Sequence, residues 1–315
     1  ALWSAVLQER ALKMNSSFLR FSDLSPAEIE PTVKRAIKIK SGDHGTPLIG
    51  KSAVLLFEKP SLRTKLSFWV GVEKLGGKPV YFGPDEVGLG KREPVSDVAR
   101  VVSRMADIVI IRTFAQAVLD EFADAGSIPV VNALSDFEHP CQALADLQTI
   151  YEHCGKLKGT RVVYIGDGNN VARSLAYAVA GTGGHFVIAS PGGFELDAAT
   201  LQGAADYGKA AGGTVEQMRS PEDAVAGADI VYTDVWASMG QEAEAESRKQ
   251  AFAGYQVNPE LMSLAGEKAL FMHDMPAHPG EEVSEGMLDH PSSIAFNQAE
   301  NRLWAQAALV EKLLG

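Results

Sequence analysis

The sequence predicts an α/β protein of two doubly wound, parallel-sheet domains joined by helices, with an active site in the cleft between them. Three observations carry this reading. Short apolar runs alternate with helical patterns along the whole chain. The runs are continuous in Val, Ile and Leu, the mark of strands covered on both faces. The unusual polar residues gather just past the ends of these runs, where open parallel sheets place ligands.

In order, residues 54–57, 79–82, 108–111 and 130–132 form a first set of strands, with helical segments at 25–40, 64–75, 94–104 and 116–125. In the second of these, Leu66, Val70 and Leu75 carry the helical spacing. The helix at 140–154 leads out of this set, and Gly155 to Gly159 opens the second. There, strands at 162–165, 185–189, 230–233 and 270–273 alternate with helices at 171–181, 196–211 and 221–226. A last helix near 297–314 has no strand after it and is expected to pack back on the first domain. The domains are therefore expected at 14–147, with 291–315 packed on it, and at 148–290. Residues 1–13 read as an upstream extension or an expression scar.

At 315 residues the chain is long enough for two domains with their own cores. A formal charge of −11 with no basic patch argues against a nucleic-acid partner. Two cysteines, Cys141 and Cys154, make no disulfide framework, which points to a reducing, cytoplasmic setting. No apolar run reaches the ~18 to 20 residues of a membrane span.

Five strand-end loops hold the chemistry. After the first strand, Pro60 breaks the run and Ser61 stands at a helix N-cap, so Ser61, Leu62, Arg63 and Thr64 present free N–H groups, two hydroxyls and a guanidinium to one point. That is an anion site, unless Ser61 is a plain cap and Arg63 is merely solvated. Arg112 ends the third strand, free to bind a ligand or to pair with an acid. His139, before Pro140 at the first helical position, is suited to polarising a carbonyl and Gln142 to bonding an amide, although a lone His is more often structural. The turn Gly166-Asp-Gly-Asn-Asn170 mimics a dinucleotide fingerprint but has Val171 where the third Gly belongs, which disfavours hydride chemistry; Asn169 or Asn170 is left to hold a carboxylate or an amino group. Asp234 and Asp274 each end a strand, and two such acids suit an ammonium group. Arg302, in Glu300-Asn-Arg302, lies on the terminal helix, where a solvated Arg is the plain alternative.

As a set, Phe57-Glu-Lys-Pro-Ser-Leu-Arg-Thr64, His139-Pro-Cys-Gln142, Gly166-Asp-Gly-Asn-Asn170, Asp234-Val-Trp-Ala-Ser-Met-Gly240 and Gln298-Ala-Glu-Asn-Arg302 resemble the aspartate/ornithine carbamoyltransferase family, its ornithine members above all, from about Phe18 to Leu314. The resemblance implies that Ser61, Leu62, Arg63 and Thr64 hold carbamoyl phosphate, with Arg112, His139 and Gln142 completing that site. It implies that Asn170, Asp234, Ser238 and Met239 bind ornithine, on a loop that closes over it. Arg302, with Asp274 and Met275 of the His273-x-x-Pro276 turn, is implied at the carbonyl end of the carbamoyl group. The reaction implied is carbamoyl transfer to the δ-amino group of L-ornithine, giving L-citrulline and phosphate in arginine biosynthesis. Arg63, Arg112, His139, Asp274 and Arg302 are then the catalytic set. The resemblance implies no metal and no organic cofactor, and a homotrimer or assembly of trimers with active sites between subunits. It also implies a cis bond before Pro276.

The chain departs from the family pattern in places. Asp274 and Met275 stand where ornithine members usually have Cys and Leu; Asp274 is expected to bind the α-ammonium beside Asp234, or instead to raise the pKa of the δ-amine. Lys65 replaces a commoner Arg, Gly88 stands where many members offer Gln or His to a neighbouring subunit, and Pro279 replaces a frequent Arg. Acetylornithine, succinylornithine, putrescine or aspartate remains open as the acceptor. A binding or assembly subunit without catalysis would require loss of Arg63, Arg112 or His139, and all three are present.

Overall fold

The computed structural model describes residues 17–237 and 242–315. Two compact units divide the chain: one runs to Leu144 and includes Arg302–Gly315, and the other spans Ala145–Asn301.

The first unit has a four-stranded, all-parallel sheet in the order β2-β1-β3-β4, made of β1 (Ser52–Phe57), β2 (Lys78–Phe82), β3 (Ile108–Arg112) and β4 (Val130–Leu134). The helices α1 (Pro26–Lys40), α2 (Leu62–Lys74), α3 (Val95–Val102) and α4 (Gln116–Ala125) belong to this unit. Continuous apolar sequence gave the right strands because β3 and most of β1 and β4 are buried, whereas the edge strand β2 alternates in exposure. One core cluster joins Val54, Leu56, Val109, Ile111, Leu119, Phe122 and Val130. The expected stripe of α2 is corrected: Leu66 is 57% exposed, and the inward face is Thr64, Ser67, Phe68, Gly71 and Val72. A Cβ on Gly71 would meet the Leu303 carbonyl at 3.3 Å, so at this position the C-terminal helix lies directly on α2. Further along that helix, Glu311 accepts from Arg35 Nε at 2.5 Å and Lys312 Nζ donates to Glu28 at 2.7 Å, both partners lying on α1.

The second unit has five parallel strands in the order β7-β6-β5-β8-β9: β5 (Arg161–Ile165), β6 (His185–Ala189), β7 (Thr214–Met218), β8 (Ile230–Thr233) and β9 (Leu270–His273). Helix α5 (Pro140–Cys154) leads into it, and α6 (Asn170–Gly181), α7 (Ala198–Gly208), α8 (Pro221–Val225), α9 (Ala245–Ala251) and α10 (Pro259–Ala265) follow, with α11 (Ala295–Leu314) leading out. The edge strand β7 and the helices α9 and α10 were not anticipated. In both sheets the strand order reverses once, between β1 and β3 and between β5 and β8, and the carboxyl ends of those pairs are where ligands are expected. No helix among the described residues is long and apolar enough to cross a membrane.

Candidate active site

In the first unit the switch point is built from the ends of β1 and β3. Phe57 pairs in register with Arg112, and the Glu58 N–H donates to the Arg112 carbonyl at 2.8 Å. Ser61 is the N-cap of α2: its hydroxyl accepts from the Thr64 N–H at 3.3 Å and donates to the Thr64 hydroxyl at 2.9 Å. Arg302 Nη2 donates to the same Thr64 Oγ1 at 2.6 Å, so the terminal helix places a guanidinium on the first turn of α2. Arg302 is buried, which removes its solvated-helix reading, and Arg112 at the end of β3 is buried as well.

His139 is only 4% exposed. Burial, followed by the positive charges of Arg302 and Arg112, holds its imidazole well below the ordinary histidine pKa, so it is neutral at pH 7. Gln142 is buried in the first turn of α5, its N–H donating to the His139 carbonyl at 3.1 Å. Arg63 is half-buried. Leu62 is 78% exposed, so only its backbone N–H at the start of α2 can serve the site. Lys65 is directed elsewhere: its ammonium lies 3.5 Å from the centre of the Tyr81 ring. Lys59, which the sequence reading passed over, lies 4.3 Å from the Phe114 ring centre, and burial and then Arg112 lower its pKa. Gly88 takes a left-handed φ of 52° after the single helical turn Pro84–Val87.

In the second unit the switch point is the turn after β5 and the loop after β8. A Cβ on Gly168 would lie 2.3 Å from the Leu196 nitrogen, so the close approach of this glycine is used by the chain's own backbone. Asn169 caps α6, its Oδ1 accepting from the Val171 and Ala172 N–H groups at 2.9 and 3.1 Å. Its Nδ2 donates to Asp234 Oδ2 at 2.8 Å, while Asp234 Oδ1 accepts from the Val235 N–H at 2.7 Å. Asn169 is thus the holder of a protein carboxylate, and Asn170, half-buried at the first position of α6, is the nearer candidate for substrate. Ser238 and Met239 lie outside the described residues.

Asp274 is 9% exposed at the end of β9. Asp234 and Asp274 both raise the pKa values of Tyr164 and Tyr232, after burial as the main cause, so the two acids bear on one tyrosine pair. Those rings stack with centroids 5.5 Å apart. Beneath them the Tyr232 hydroxyl donates to Asp146 at 3.2 Å, and Gln298 donates to the other Asp146 oxygen at 2.7 Å while accepting from the His273 N–H at 2.8 Å. His273 Nδ1 approaches Asp274 at 3.6 Å but accepts from the Met275 N–H at 2.8 Å. A backbone N–H can only donate, so Nδ1 carries no proton and Nε2 donates to Glu282 at 3.1 Å. The His273–Asp274 approach is therefore not a salt bridge. The Met275–Pro276 bond is cis, as expected, with Met275 at φ 59°.

Sequence reasoning missed Asp146, although a lone acid within Ala143-Leu144-Ala145-Asp146-Leu147 was the available signal. Among the described residues, His278, Glu281 and Glu282 bring metal-ligand atoms within 4.8 Å of one another. Lys249 already pairs with Glu281 at 2.7 Å, and one Glu282 oxygen already accepts from His273 and the His278 N–H.

Two doubly wound units, each gathering polar side chains at its own switch point, define a two-domain α/β protein with one candidate ligand site per unit. Residues 16–152 match the model of the aspartate/ornithine carbamoyltransferase carbamoyl-P binding domain, and residues 158–313 match that of the Asp/Orn binding domain. The chain belongs to the aspartate/ornithine carbamoyltransferase family. Over 301 residues it is 47% identical to an ornithine carbamoyltransferase of Anoxybacillus flavithermus, covering 94% of this chain and 96% of that protein. It is 48% identical to the one of Nitrosococcus oceani, over 94% of this chain and 97% of that protein. The solved ornithine carbamoyltransferase from Pyrococcus furiosus is 43% identical, with a TM-score of 0.90 over 93% of this chain and 95% of that one.

Proposed function

We propose that this protein transfers the carbamoyl group of carbamoyl phosphate to the δ-amino group of L-ornithine, giving L-citrulline and phosphate. The observation that carries the proposal is the first unit's set of buried Arg112, Arg302 and neutral His139 beside the Ser61-capped start of α2. Such a set meets an anionic acyl phosphate with two fixed cations, helix N–H groups and a hydrogen-bonding imidazole. The second unit offers the complement, Asp234 and Asp274, suited to a cationic amino acid.

The chemistry needs no covalent intermediate on the protein. The neutral δ-amine attacks the carbonyl carbon, charge builds on the carbonyl oxygen, and the C–O bond to phosphate breaks with its electron pair leaving on phosphate. The proton lost by the nitrogen ends on that phosphate. Arg302 and His139 are assigned to the developing oxyanion, Arg63, Thr64 and Arg112 to the leaving phosphate, and Gln142 to the carbamoyl amide. Preorganised donors aimed at developing charge are usually the largest catalytic contribution. Alignment of the two substrates adds up to roughly 7–11 kcal/mol. Asn170, Asp234, Ser238 and Met239 are assigned to ornithine, and Asp274 with Met275 to the carbonyl end of the carbamoyl group.

A second reading keeps the reaction and changes the acceptor, because Asp274 stands where a thiol is usual in the family. Paired carboxylates disfavour aspartate, whose own two carboxylates they would repel, and favour a free α-ammonium over an acylated one. The family and the reducing setting implied by two free cysteines support a role in arginine biosynthesis in the cytoplasm. Exposed Leu66, Val80 and Phe82 on α2 and the edge strand β2 support a homotrimer or larger assembly, since apolar surface of this kind is commonly covered by a partner.

The test is ureido product formation with carbamoyl phosphate against ornithine, acetylornithine, succinylornithine, putrescine, lysine and aspartate. Citrulline from ornithine above all others is expected. Preference for another amine would reassign Asp274 as the determinant of that acceptor, and no product from a protein that still binds carbamoyl phosphate would overturn catalysis altogether.

A further inference from the structure

One buried cation in the second unit has no part in the reaction above. Arg248, on α9, is 7% exposed although it stands in the charged run Glu242–Lys249. Its Nη1 donates to Asp167 at 2.7 Å and to the Trp236 carbonyl at 2.9 Å, and its Nε donates to Glu244 at 3.0 Å. The guanidinium also lies 5.0 Å from the centre of the Phe194 ring, and Phe194 packs on Phe252, which stacks on Trp236. The Glu244 partner is largely exposed and contributes little; Asp167 and Trp236 are the partners that matter.

Both lie at the switch point. Asp167 is in the turn after β5, two residues before Asn169, whose amide holds Asp234 at 2.8 Å. Trp236 is two residues after Asp234 on the loop leaving β8. One guanidinium therefore ties down both stretches of chain that set the direction of the Asp234 carboxylate. Its charge has a second consequence. Asp167 lies close enough to Asp234 for the two acids to interact, and Asp167 is half-buried, so a cation on Asp167 prevents it from competing with Asp234 for a ligand's ammonium group.

We propose that Arg248 is a positioning residue for the acceptor: it orients Asp234 through the Asp167 turn, Asn169 and the Trp236 carbonyl, and it reserves Asp234 for the amino acid by neutralising Asp167. The inference rests on the ornithine reading above, and it goes beyond it by assigning acceptor affinity to a side chain that touches neither substrate.

The experiment is steady-state kinetics of the full-length wild type and of Arg248→Gln, Arg248→Lys, Asp167→Asn and the double variant Asp167→Asn/Arg248→Gln. In Arg248→Gln the KM for ornithine should rise about ten- to hundredfold, the loss expected when a hydrogen bond to a charged group is removed. The KM for carbamoyl phosphate should stay within about twofold, since its residues lie in the other unit. Arg248→Lys should recover part of the loss by keeping the charge on Asp167 without the fork that also reaches Trp236. The double variant should be less impaired than the product of the single effects, because the two side chains act as a pair.

Equal changes in both KM values, additive single effects, or an unchanged ornithine KM would each overturn the inference. Should Arg248→Gln fail to fold, the near-isosteric Asp167→Asn, which removes the ion pair but also the competing charge, should show a smaller rise confined to ornithine, and an unchanged ornithine KM there would overturn the inference. Failure of the functional reading is a separate result, since there the wild type itself would not carbamoylate ornithine.

Discussion

His139 makes the stability of the first unit sensitive to acid. Its imidazole is buried beside Arg302 and Arg112, and all three influences favour the neutral form. In the unfolded chain the same group titrates at its ordinary value of 6.5. Below that pH the unfolded state binds a proton that the folded state refuses, so stability is full above about pH 7.5 and falls as the pH drops. While the folded group stays neutral, the loss grows by roughly 1 kcal/mol for each pH unit below 6.5. Carboxylates titrate over the lower part of this range, so the quantity to measure is a difference. Urea midpoints of the wild type and of His139→Gln, taken every half unit from pH 8 to 5, should diverge below pH 7, with the wild type losing the additional free energy. A difference that stays flat through this window would show that His139 accepts its proton in the folded state, and would refute the role proposed for it as a neutral donor at the carbamoyl carbonyl.

Arg302→Lys loses the fork that reaches Thr64, so the KM for carbamoyl phosphate should rise about tenfold or more while that for ornithine stays unchanged, as measured by varying each substrate in turn. If Asp274 faces the δ-amine and raises its pKa, Asp274→Cys should move the pH optimum for activity downward; a pH–rate profile identical to the wild type's would reject that arrangement and leave Asp274 on the α-ammonium. Gly168→Ala forces a methyl group against the backbone of Glu195 and Leu196, with a nearest approach of 2.3 Å, and should cost about 1–3 kcal/mol in chemical denaturation; an unchanged midpoint would show that the 195–196 segment yields freely.

The strands were legible because burial on both faces leaves long apolar runs, as in Ile108–Ile111 with no exposed position. β7 was not, because an edge strand of sequence Thr-Val-Glu-Gln-Met has one solvated face and reads as loop. The inward face of α2 was misread for a related reason. Apolar spacing picks out Leu66, whereas the helix packs through Thr64, Ser67 and Gly71, the last of which lets the C-terminal helix come close. In the site, Arg112 was visible as a charge at the end of an apolar strand, and Ser61 as a cap after a proline. Arg248 gave no such signal, since in the run Glu242–Lys249 its burial depends on Asp167 some eighty residues earlier. Local pattern reports what a residue's own element needs, and the partners of a buried ion are set by topology.

That distinction bears on how an acidic protein can take an anionic substrate. The chain carries a formal charge of −11, so its overall field repels carbamoyl phosphate. Binding must then come from the short-range field of the first unit, where Arg112 and Arg302 are buried near the start of α2 and Thr64 links that helix to Arg302. Salt screens the diffuse repulsion between exposed charges over roughly 8–10 Å and acts much less on buried groups. Moderate ionic strength should therefore leave carbamoyl phosphate binding intact or improve it. For ornithine the acidic surface works the other way, attracting a cation from a distance, so added salt should weaken the acceptor side first. The two substrates thus respond to salt in opposite directions because the same protein presents its charge to one locally and to the other as a whole.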